Sequence, residues 1–354
     1  MNLDKKIITL DLLGSFFGQF RPDGNIPLKY HPFNDSFFDR YNELISSQHY
    51  YNQWFTPEMV RHAIYSWSLA LNEEKIRKWL APYKQIANLP EKTIAVVMAG
   101  NIPMVGFHDM LCVLLCGHKI IAKTSQKDNH LLSLIAETLN FADSSFKDKI
   151  SFTNDHLPEF DGIIATGSNN SSRYFDFYFG KYPNLVRRNR NSIAILSGNE
   201  TTEELKQICD DIFLYFGLGC RSVSKIYVPS GYSFNNLFKA AEKYNYIINH
   251  AKYSNNYDYN KALYLINKID HLDNGFLLLT ENPSLASPIS VLHYEKYNST
   301  GEVIDSIAQY KDNLQVLVSK SPINGNSLKP GKSQFPELWD YADNIDTMQF
   351  LINI

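Results

Sequence analysis

The sequence predicts an α/β protein built on a doubly wound parallel sheet. Short apolar runs suited to buried parallel strands recur from residue 92 onward, beginning with TIAVVM at residues 93–98. Each run leads into a turn rich in Gly, Asn or Ser and then into a stretch with helical spacing. The 354 residues, 44% of them hydrophobic, are enough to bury a large core in two domains.

Residues 1–90 are predicted to form a helical, aromatic region that covers the α/β part. The sequence Thr56-Pro57-Glu58 is typical of a helix start, with Thr56 as the cap and Pro57 in the first turn. No motif in this region indicates chemistry.

The first α/β segment follows from Lys92. Strands are predicted at residues 93–98, 119–122, 150–152 and 161–165, with helices at 105–115 and 130–141. Ligands of such sheets bind at the carboxyl ends of the strands, so the turns at Asn101, Lys123 and Gly167 are expected to share one edge. The sequence contains neither GxGxxG nor GxxxxGK[ST]. A helix start after Gly167 and Ser168 is able to receive a phosphate, but an ordinary turn and cap explains these residues equally well.

The second α/β segment is predicted from residue 224. Its strands are expected at 224–228, 276–279, 289–294 and 314–319, its helices at 234–244 and 301–310, and a Tyr/Asn-rich loop at 253–259. Residues 322–330 read as a loop returning to the first domain. Just before this segment, Arg187, Arg188 and Arg190 form a cluster that fits either a phosphate of a cofactor or a solvated charged loop.

The stretch FGLGCRSVSKIYVP at residues 216–229 is the strongest candidate for chemistry. It places Cys220 between the end of an amphipathic helix and the start of a strand, with glycines at 217 and 219 that allow a sharp turn. A thiol becomes a good nucleophile when a positive charge or backbone donors lower its pKa, and Arg221 is its neighbour in sequence. The alternative is one more buried thiol.

Composition excludes several function classes. The net charge of −3 argues against a nucleic-acid partner, and no apolar run approaches the roughly 20 residues of a membrane span. The amino terminus does not read as a signal peptide, so a cytoplasmic protein is expected. Cys112 and Cys116 are assigned to the core, Cys209 lies on the apolar face of the predicted helix before Cys220, and no metal site is expected. The 22 Tyr and 22 Phe fit a large core or an apolar acyl pocket.

Six stretches in order carry a resemblance to a known family. They are AGNIPM at 99, KTS at 123, TGSNNSSRYF at 166, RNRNSIAIL at 188, the Cys220 stretch, and GKSQFPELWDYADNIDTMQFL at 331. Together they resemble the long-chain fatty acyl-CoA reductases typified by the reductase of bacterial bioluminescence, within the aldehyde dehydrogenase superfamily. The resemblance covers residues 90–354.

The resemblance implies an aldehyde-dehydrogenase-like organisation and an activity. Residues 91–215 would form the cofactor-binding domain, with residues 1–90 packed on it and residues 331–354 returning to it, and residues 216–330 would form a smaller catalytic domain. The implied reaction is the NADPH-dependent reduction of an acyl-CoA to the aldehyde. Pairing into a homodimer and delivery of the acyl group by another enzyme are both left open.

The resemblance also implies roles for single residues. Cys220 matches the nucleophile that forms the acyl-enzyme, and Asn101 matches the amide that binds the oxyanion together with the Cys220 backbone N–H. Three kinds of cofactor contact are implied. Lys123 and Ser125 would contact the adenosine ribose or its phosphate, and Thr166, Gly167 and Ser168 would form the turn beneath the nicotinamide and pyrophosphate. Glu281 would contact the nicotinamide ribose, although its spacing to Pro288 departs from the family.

Two departures refine this expectation. Many NAD-using relatives carry an acid three residues after the lysine, whereas Gln126 stands here and leaves room for the 2′-phosphate of NADPH. The glutamate that activates water in hydrolytic relatives is replaced by the run from Arg188 to Asn191, so an acyl-enzyme would survive to be reduced.

A cytoplasmic NADPH-dependent acyl-CoA reductase is therefore the leading hypothesis. One alternative is an aldehyde dehydrogenase, or a reductase of acyl phosphates or other thioesters, on the same fold. The other is a noncatalytic scaffold that binds acyl groups or nucleotides.

Overall fold

The computed structural model describes residues 3–125, 128–167, 174–175, 177–323 and 327–354. The chain divides into two compact units, of which unit 1 comprises Met1–Arg188 and Glu337–Ile354, and unit 2 comprises Asn189–Pro336. Strand β8 (Asn191–Ile195) and helix α7 (Thr202–Phe213), which were expected in the cofactor-binding domain, lie in unit 2.

Unit 1 begins with helices, as the sequence predicts. They are α1 (Leu3–Phe17), α2 (Asp39–Tyr51), α3 (Pro57–Ala70) and α4 (Glu73–Leu80), with a short antiparallel ribbon of β1 (Phe20–Arg21) and β2 (Gly24–Asn25). Thr56 caps α3 by accepting a hydrogen bond from the Met59 N–H, which confirms the predicted helix start. The buried rings of Phe16, Phe20 and Tyr41 pack against one another, so these three aromatic residues form core.

The sheet of unit 1 is parallel in every pairing of the described residues. Its strands are β3 (Thr93–Val97), β4 (Lys119–Lys123), β5 (Ile150–Thr153), β6 (Gly162–Thr166) and β7 (Asn184–Arg187), in the spatial order β5-β4-β3-β6-β7. Helices α5 (Phe107–Leu115) and α6 (Asn129–Ala142) follow β3 and β4. The strand order reverses between β3 and β6, and ligands of doubly wound sheets bind at such a switch point.

The sheet of unit 2 has the order β10-β11-β12-β9-β8-β13 in the described residues. Beside β8 it contains β9 (Val223–Pro229), β10 (Leu272–Asp273), β11 (Leu278–Glu281), β12 (Val291–Tyr297) and β13 (Leu314–Ser319). The pairings are parallel except that of β10 with β11. Besides α7, its helices are α8 (Asn235–Ala241), α9 (Ala251–Ile266) and α10 (Thr300–Ala308), and α11 (Thr347–Ile352) belongs to unit 1.

The loop predicted at residues 253–259 was wrong, because these residues lie inside helix α9. Its buried face consists of Tyr253, Tyr257, Asn260 and Tyr264, which repeat at three- and four-residue spacing. Two of the tyrosine hydroxyls reach polar partners: Tyr253 donates to the Phe276 carbonyl over 3.1 Å, and Tyr257 donates to the Asp273 carboxylate over 2.7 Å. Tyrosine and asparagine therefore supply the inward face that Leu or Ile form in other helices.

Within the described ranges, no helix is long and apolar enough to cross a membrane.

Candidate active site

The chain turns sharply between helix α7 and Cys220. Tyr215, Phe216 and Gly217 have φ angles of 54°, 56° and 74°, which place three consecutive residues in the left-handed region. Two of them are large aromatic residues, for which this backbone conformation is strained. Both rings are buried, and the Phe216 ring lies 4.6 Å from the His250 ring between centroids. Packing of the two rings thus holds a strained turn directly before the candidate nucleophile.

The turn presents Cys220 at the surface. All four cysteines lie in described parts of the chain, and Cys220 is exposed whereas Cys112, Cys116 and Cys209 are buried. Burial raises the pKa of Cys116 and of Cys209 to about 12 and that of Cys112 well above its ordinary value. The core assignment of Cys112 and Cys116 is confirmed, and the raised pKa values of the three buried thiols make them unreactive at neutral pH.

Hydrogen bonds fix the backbone on both sides of Cys220. The Ser192 hydroxyl, on strand β8, donates to the Cys220 carbonyl over 2.8 Å, and the Ser222 N–H donates to the Gly219 carbonyl over 2.9 Å. Strand β9 begins at the next residue, Val223. Because the carbonyl of Cys220 is held by a neighbouring strand, the position of its thiol follows from the sheet.

The segment 331–334 lies against the residues that follow Cys220. The Arg221 Nε donates to the Ser333 carbonyl, and the Gln334 side chain donates to the Ser222 hydroxyl over 3.1 Å. The sequence left the direction of the Arg221 side chain open, and these contacts settle it. Two consecutive residues after the thiol are thus bound to a stretch more than 100 positions away in sequence.

In unit 1, Asn101 lies at the carboxyl end of β3, at the switch point of the sheet, and is exposed. The turn that carries it is held on both sides. Asn52 donates to the Gly100 carbonyl over 3.2 Å, and the buried Asp128 carboxylate accepts from the Met104 N–H over 3.1 Å. Met104 itself has a φ of 60°, so the turn leaves the strand through a left-handed residue.

Gly100 and Ser125 approach closely at this edge. A Cβ built on Gly100 would lie 2.4 Å from the Ser125 Cβ and 2.5 Å from its Oγ. Only glycine fits there, because the turns after β3 and β4 touch at this point. The structure therefore places Ser125 beside the residue that precedes Asn101.

The other sequence-predicted cofactor residues lie at the same edge of the unit 1 sheet or outside the described residues. Lys123 ends β4, and its ammonium donates to the Asp155 carbonyl over 2.8 Å. Thr166 ends β6 and Gly167 follows it. Ser168 and Gln126 lie outside the described residues.

Glu281 belongs to strand β11 in unit 2. It is the last residue of that strand, is 53% exposed and accepts a 2.8 Å hydrogen bond from Lys296.

The arginine cluster does not form a phosphate site through Arg187. Arg187 is buried and pairs with both oxygens of the buried Asp109, and it also donates to the Thr347 hydroxyl over 2.8 Å. Arg190 donates to the Leu314 carbonyl over 3.2 Å. The buried pair fastens strand β7 to helices α5 and α11, which is a structural role.

Asp128 and Asp211 are buried carboxyl groups that the sequence interpretation missed. Burial raises the pKa of Asp128 well above its ordinary value, and one of its oxygens accepts from Met104 as described above. The sequences KTSQKDNH around Asp128 and CDDIF around Asp211 contain no pattern that indicates a buried aspartate. Among the described residues, no group of three His, Cys, Asp or Glu side chains is placed to hold a metal ion.

Comparison with known proteins places this arrangement in a family. The sequence profile described as acyl-CoA reductase (LuxC) matches residues 41–239, which is more than half of the chain. The chain belongs to the acyl-CoA reductase (LuxC) family. The match includes Asn101, Lys123 and Cys220. No curated protein sequence matches the chain.

Solved structures of aldehyde dehydrogenases share the fold of this acyl-CoA reductase family member. An indole-3-acetaldehyde dehydrogenase in complex with NAD+ matches with a TM-score of 0.60 and 13% identity, over 90% of this chain and 72% of that one. Aldehyde dehydrogenase 21 of Physcomitrella patens, in complex with succinate, gives 0.59 and 13%, over 90% and 73%. A mutant of aldehyde dehydrogenase C of Pseudomonas syringae, in complex with NAD+ and octanal, gives 0.55 and 13%, over 90% and 76%. The predicted fold class is confirmed.

Proposed function

We propose that the protein reduces a long-chain fatty acyl-CoA to the aldehyde with NADPH, through an acyl thioester on Cys220. The observation that carries the proposal is the exposed Cys220, held after a strained turn in a chain of the acyl-CoA reductase family. Unit 2 would be the catalytic part and unit 1 the cofactor-binding part.

The residues at the edge of the unit 1 sheet fit a dinucleotide. Such cofactors bind at the switch point of a doubly wound sheet. At this point Gly100 lies against Ser125 and has no Cβ, so its backbone is open to a ligand. Lys123 would contact the adenosine ribose or its phosphate, and Thr166, Gly167 and Ser168 would lie beneath the nicotinamide and pyrophosphate. NADPH would supply the hydride. The uncharged Gln126 supports NADPH over NADH, because a carboxylate there would repel the 2′-phosphate. Glu281 remains the proposed contact of the nicotinamide ribose.

The acylation step follows from the chemistry of the site. The Cys220 thiolate would attack the thioester carbonyl, and the oxyanion would be held by the Asn101 amide and the Cys220 N–H. When the tetrahedral adduct collapses, the carbon–sulfur bond to CoA breaks and CoA leaves as the thiolate. The acyl group is then joined to Cys220. Reduction of this thioester releases the aldehyde and restores the thiol.

The residues from Arg188 to Asn191 support reduction over hydrolysis. Hydrolytic relatives have a glutamate in this region that activates water, whereas the positions here hold Arg188, Asn189, Arg190 and Asn191. Arginine and asparagine side chains do not take a proton from water at neutral pH. An acyl-enzyme would therefore persist until it is reduced. We also propose a cytoplasmic location, because an exposed nucleophilic thiol stays reduced in a reducing compartment.

Intact mass spectrometry tests the proposal. Mixing the protein with palmitoyl-CoA should add the mass of one acyl group, and NADPH should then remove the adduct and release hexadecanal. Replacing Cys220 by Ala should abolish the adduct, whereas Cys209→Ala, which removes a buried thiol, should retain it. Asn101→Ala should slow acylation on the order of 100-fold, the typical loss of one oxyanion donor.

Other outcomes decide against the proposal in different ways. An adduct that persists in Cys220→Ala would disprove the role of this cysteine. Reduction of an acyl phosphate, or oxidation of an aldehyde without CoA, would show that the substrate is not an acyl-CoA thioester. Binding of both palmitoyl-CoA and NADPH with no adduct would indicate a noncatalytic scaffold.

A further inference from the structure

Asp211 is a buried carboxyl group on the helix that leads to Cys220. It lies near the end of α7, and its side chain is inaccessible to solvent. The neighbouring Asp210 is partly exposed and contacts the Lys243 ammonium and, over 2.7 Å, the Tyr244 hydroxyl. The two adjacent acids thus have different partners.

Asp211 binds the backbone of the segment 331–334. One carboxylate oxygen accepts from the Gly331 N–H over 2.7 Å, and the other accepts from the Ser333 N–H over 2.9 Å. Gly331 has a φ of 77°, and a Cβ there would lie 3.1 Å from the Gln207 Cβ, so the segment runs directly against α7. A pair of N–H donors aimed at the two oxygens of one carboxylate holds a backbone segment firmly, since bonds to an ionised acceptor are stronger than neutral ones.

The same segment holds the residues that follow Cys220. The Ser333 carbonyl accepts from Arg221, and Gln334 donates to Ser222, as described above. A continuous series of hydrogen bonds therefore runs from the Asp211 carboxylate through Ser333 to the Arg221 guanidinium, next to the thiol in sequence.

We propose that Asp211 is a positioning residue that acts through segment 331–334 to fix Arg221 and Ser222, and thereby sets the reactivity of Cys220. The proposal rests on the proposed function in taking Cys220 as the nucleophile. Held in this way, the Arg221 guanidinium would lie near the thiol and favour the thiolate, whereas a guanidinium that moves through many conformations would do so less.

Burial supports this role. It raises the pKa of Asp211 to about 6, as does the charge of Asp210, while the hydrogen bonds from Ser333 and Gly331 oppose the rise. At neutral pH the group is therefore mostly ionised, with both oxygens accepting. A buried charge lowers the free energy of unfolding relative to an apolar residue of the same size. The Asp211 charge therefore fits a role in positioning the segment 331–334 better than a role in stabilising the fold.

The rate of Cys220 alkylation by iodoacetamide, measured between pH 5 and 10, tests the proposal. Iodoacetamide reports on Cys220 selectively, because the other three cysteines are buried. Asp211→Asn keeps the shape but replaces one acceptor oxygen by a donor amide that faces an N–H. We expect the midpoint of its alkylation profile to rise by about one pH unit and the rate at pH 7 to fall about tenfold. Asp210→Asn, the matched control, should keep the wild-type profile.

A folded Asp211→Asn protein with the wild-type alkylation profile would overturn the proposal. If that variant does not fold, Gln334→Ala removes the bond from the same segment to the Ser222 hydroxyl and leaves the carboxylate in place. Slower alkylation in Gln334→Ala would then support the proposal, and an unchanged profile would overturn it. The assay needs neither acyl-CoA nor NADPH. If the protein is never acylated but Asp211→Asn still shifts the alkylation profile, the proposed acyl-CoA reductase function is disproved and the positioning role of Asp211 is retained.

Discussion

Replacing Gly100 by Ala should disturb the candidate cofactor edge and the Asn101 turn together. The new Cβ would lie 2.4 Å from the Ser125 Cβ and 2.5 Å from its Oγ. A Cβ cannot rotate away from its own backbone, so the turns after β3 and β4 must separate by several tenths of an ångström or more. This displacement moves the residue proposed to hold the oxyanion.

The magnitude follows from two opposed contributions. Overpacking of this kind costs about 1–3 kcal/mol. Loss of glycine freedom in the unfolded chain returns about 0.4–1 kcal/mol. We therefore expect Gly100→Ala to lower the free energy of unfolding by about 1–2 kcal/mol. Acylation of Cys220 should slow by about 10- to 100-fold, because a small misplacement of an oxyanion donor is costly.

Second-site variants of Ser125 identify the clash. Ser125→Gly removes both atoms that the new Cβ would meet, so Gly100→Ala/Ser125→Gly should regain about 1 kcal/mol relative to the sum of the single variants. Ser125→Ala keeps the Cβ at 2.4 Å and should give little recovery. Gly301→Ala is the matched control, since its nearest contact would be the Ser299 Oγ at 3.8 Å. Urea unfolding measures all of these variants.

Additive effects of Gly100→Ala and Ser125→Gly would refute this reasoning. So would equal recovery by Ser125→Ala and Ser125→Gly. A Gly100→Ala protein with wild-type acylation would show that the contact does not control the Asn101 turn.

Three further predictions concern burial and charge. Arg187→Met should lower the free energy of unfolding in urea by about 3–5 kcal/mol, because it leaves the Asp109 charge buried and unpaired. The double variant Arg187→Met/Asp109→Leu should recover most of this loss. Arg40→Met, which breaks an exposed ion pair, should lower it by less than about 1 kcal/mol. Asp211 has a pKa raised from 3.8 to about 6, so its contribution to stability is full below pH 3.8 and is lost as the pH rises through 6. From pH 3.5 to 7.5 the wild type should therefore lose about 3 kcal/mol relative to Asp211→Asn, and an equal pH dependence would contradict this. N-ethylmaleimide should label one thiol per folded chain, at Cys220, and labelling of a second thiol would contradict the burial of the others.

Much of the unit 1 sheet could be predicted because three of its strands have apolar centres and are bounded by turns. The predicted strands at 93–98, 119–122 and 161–165 were confirmed as Thr93–Val97, Lys119–Lys123 and Gly162–Thr166. A buried parallel strand needs apolar residues on both faces, and this demand leaves a strong local pattern.

Contacts between distant residues could not be predicted in this way. Arg187 reads as part of a solvated RRNR loop because its partner Asp109 lies 78 positions away. Asp211 likewise depends on backbone donors about 120 positions away. In helix α9 the pattern itself was misleading, since a tyrosine is buried there with its hydroxyl bonded and looks like a loop residue in sequence.

The path of the chain has a consequence for folding during synthesis. Unit 2 is continuous in sequence and is complete at Pro336, whereas unit 1 needs Glu337–Ile354 as well. Thr347 and Asp343, which bind the Arg187 side chain and the Arg188 N–H, belong to this last stretch. During synthesis, the buried Arg187–Asp109 pair therefore lacks its bond to Thr347 until residues 337–354 have been made. All residues of unit 2 are made before Glu337–Ile354. Unit 1 therefore begins earlier in the sequence than unit 2 but receives its last residues later.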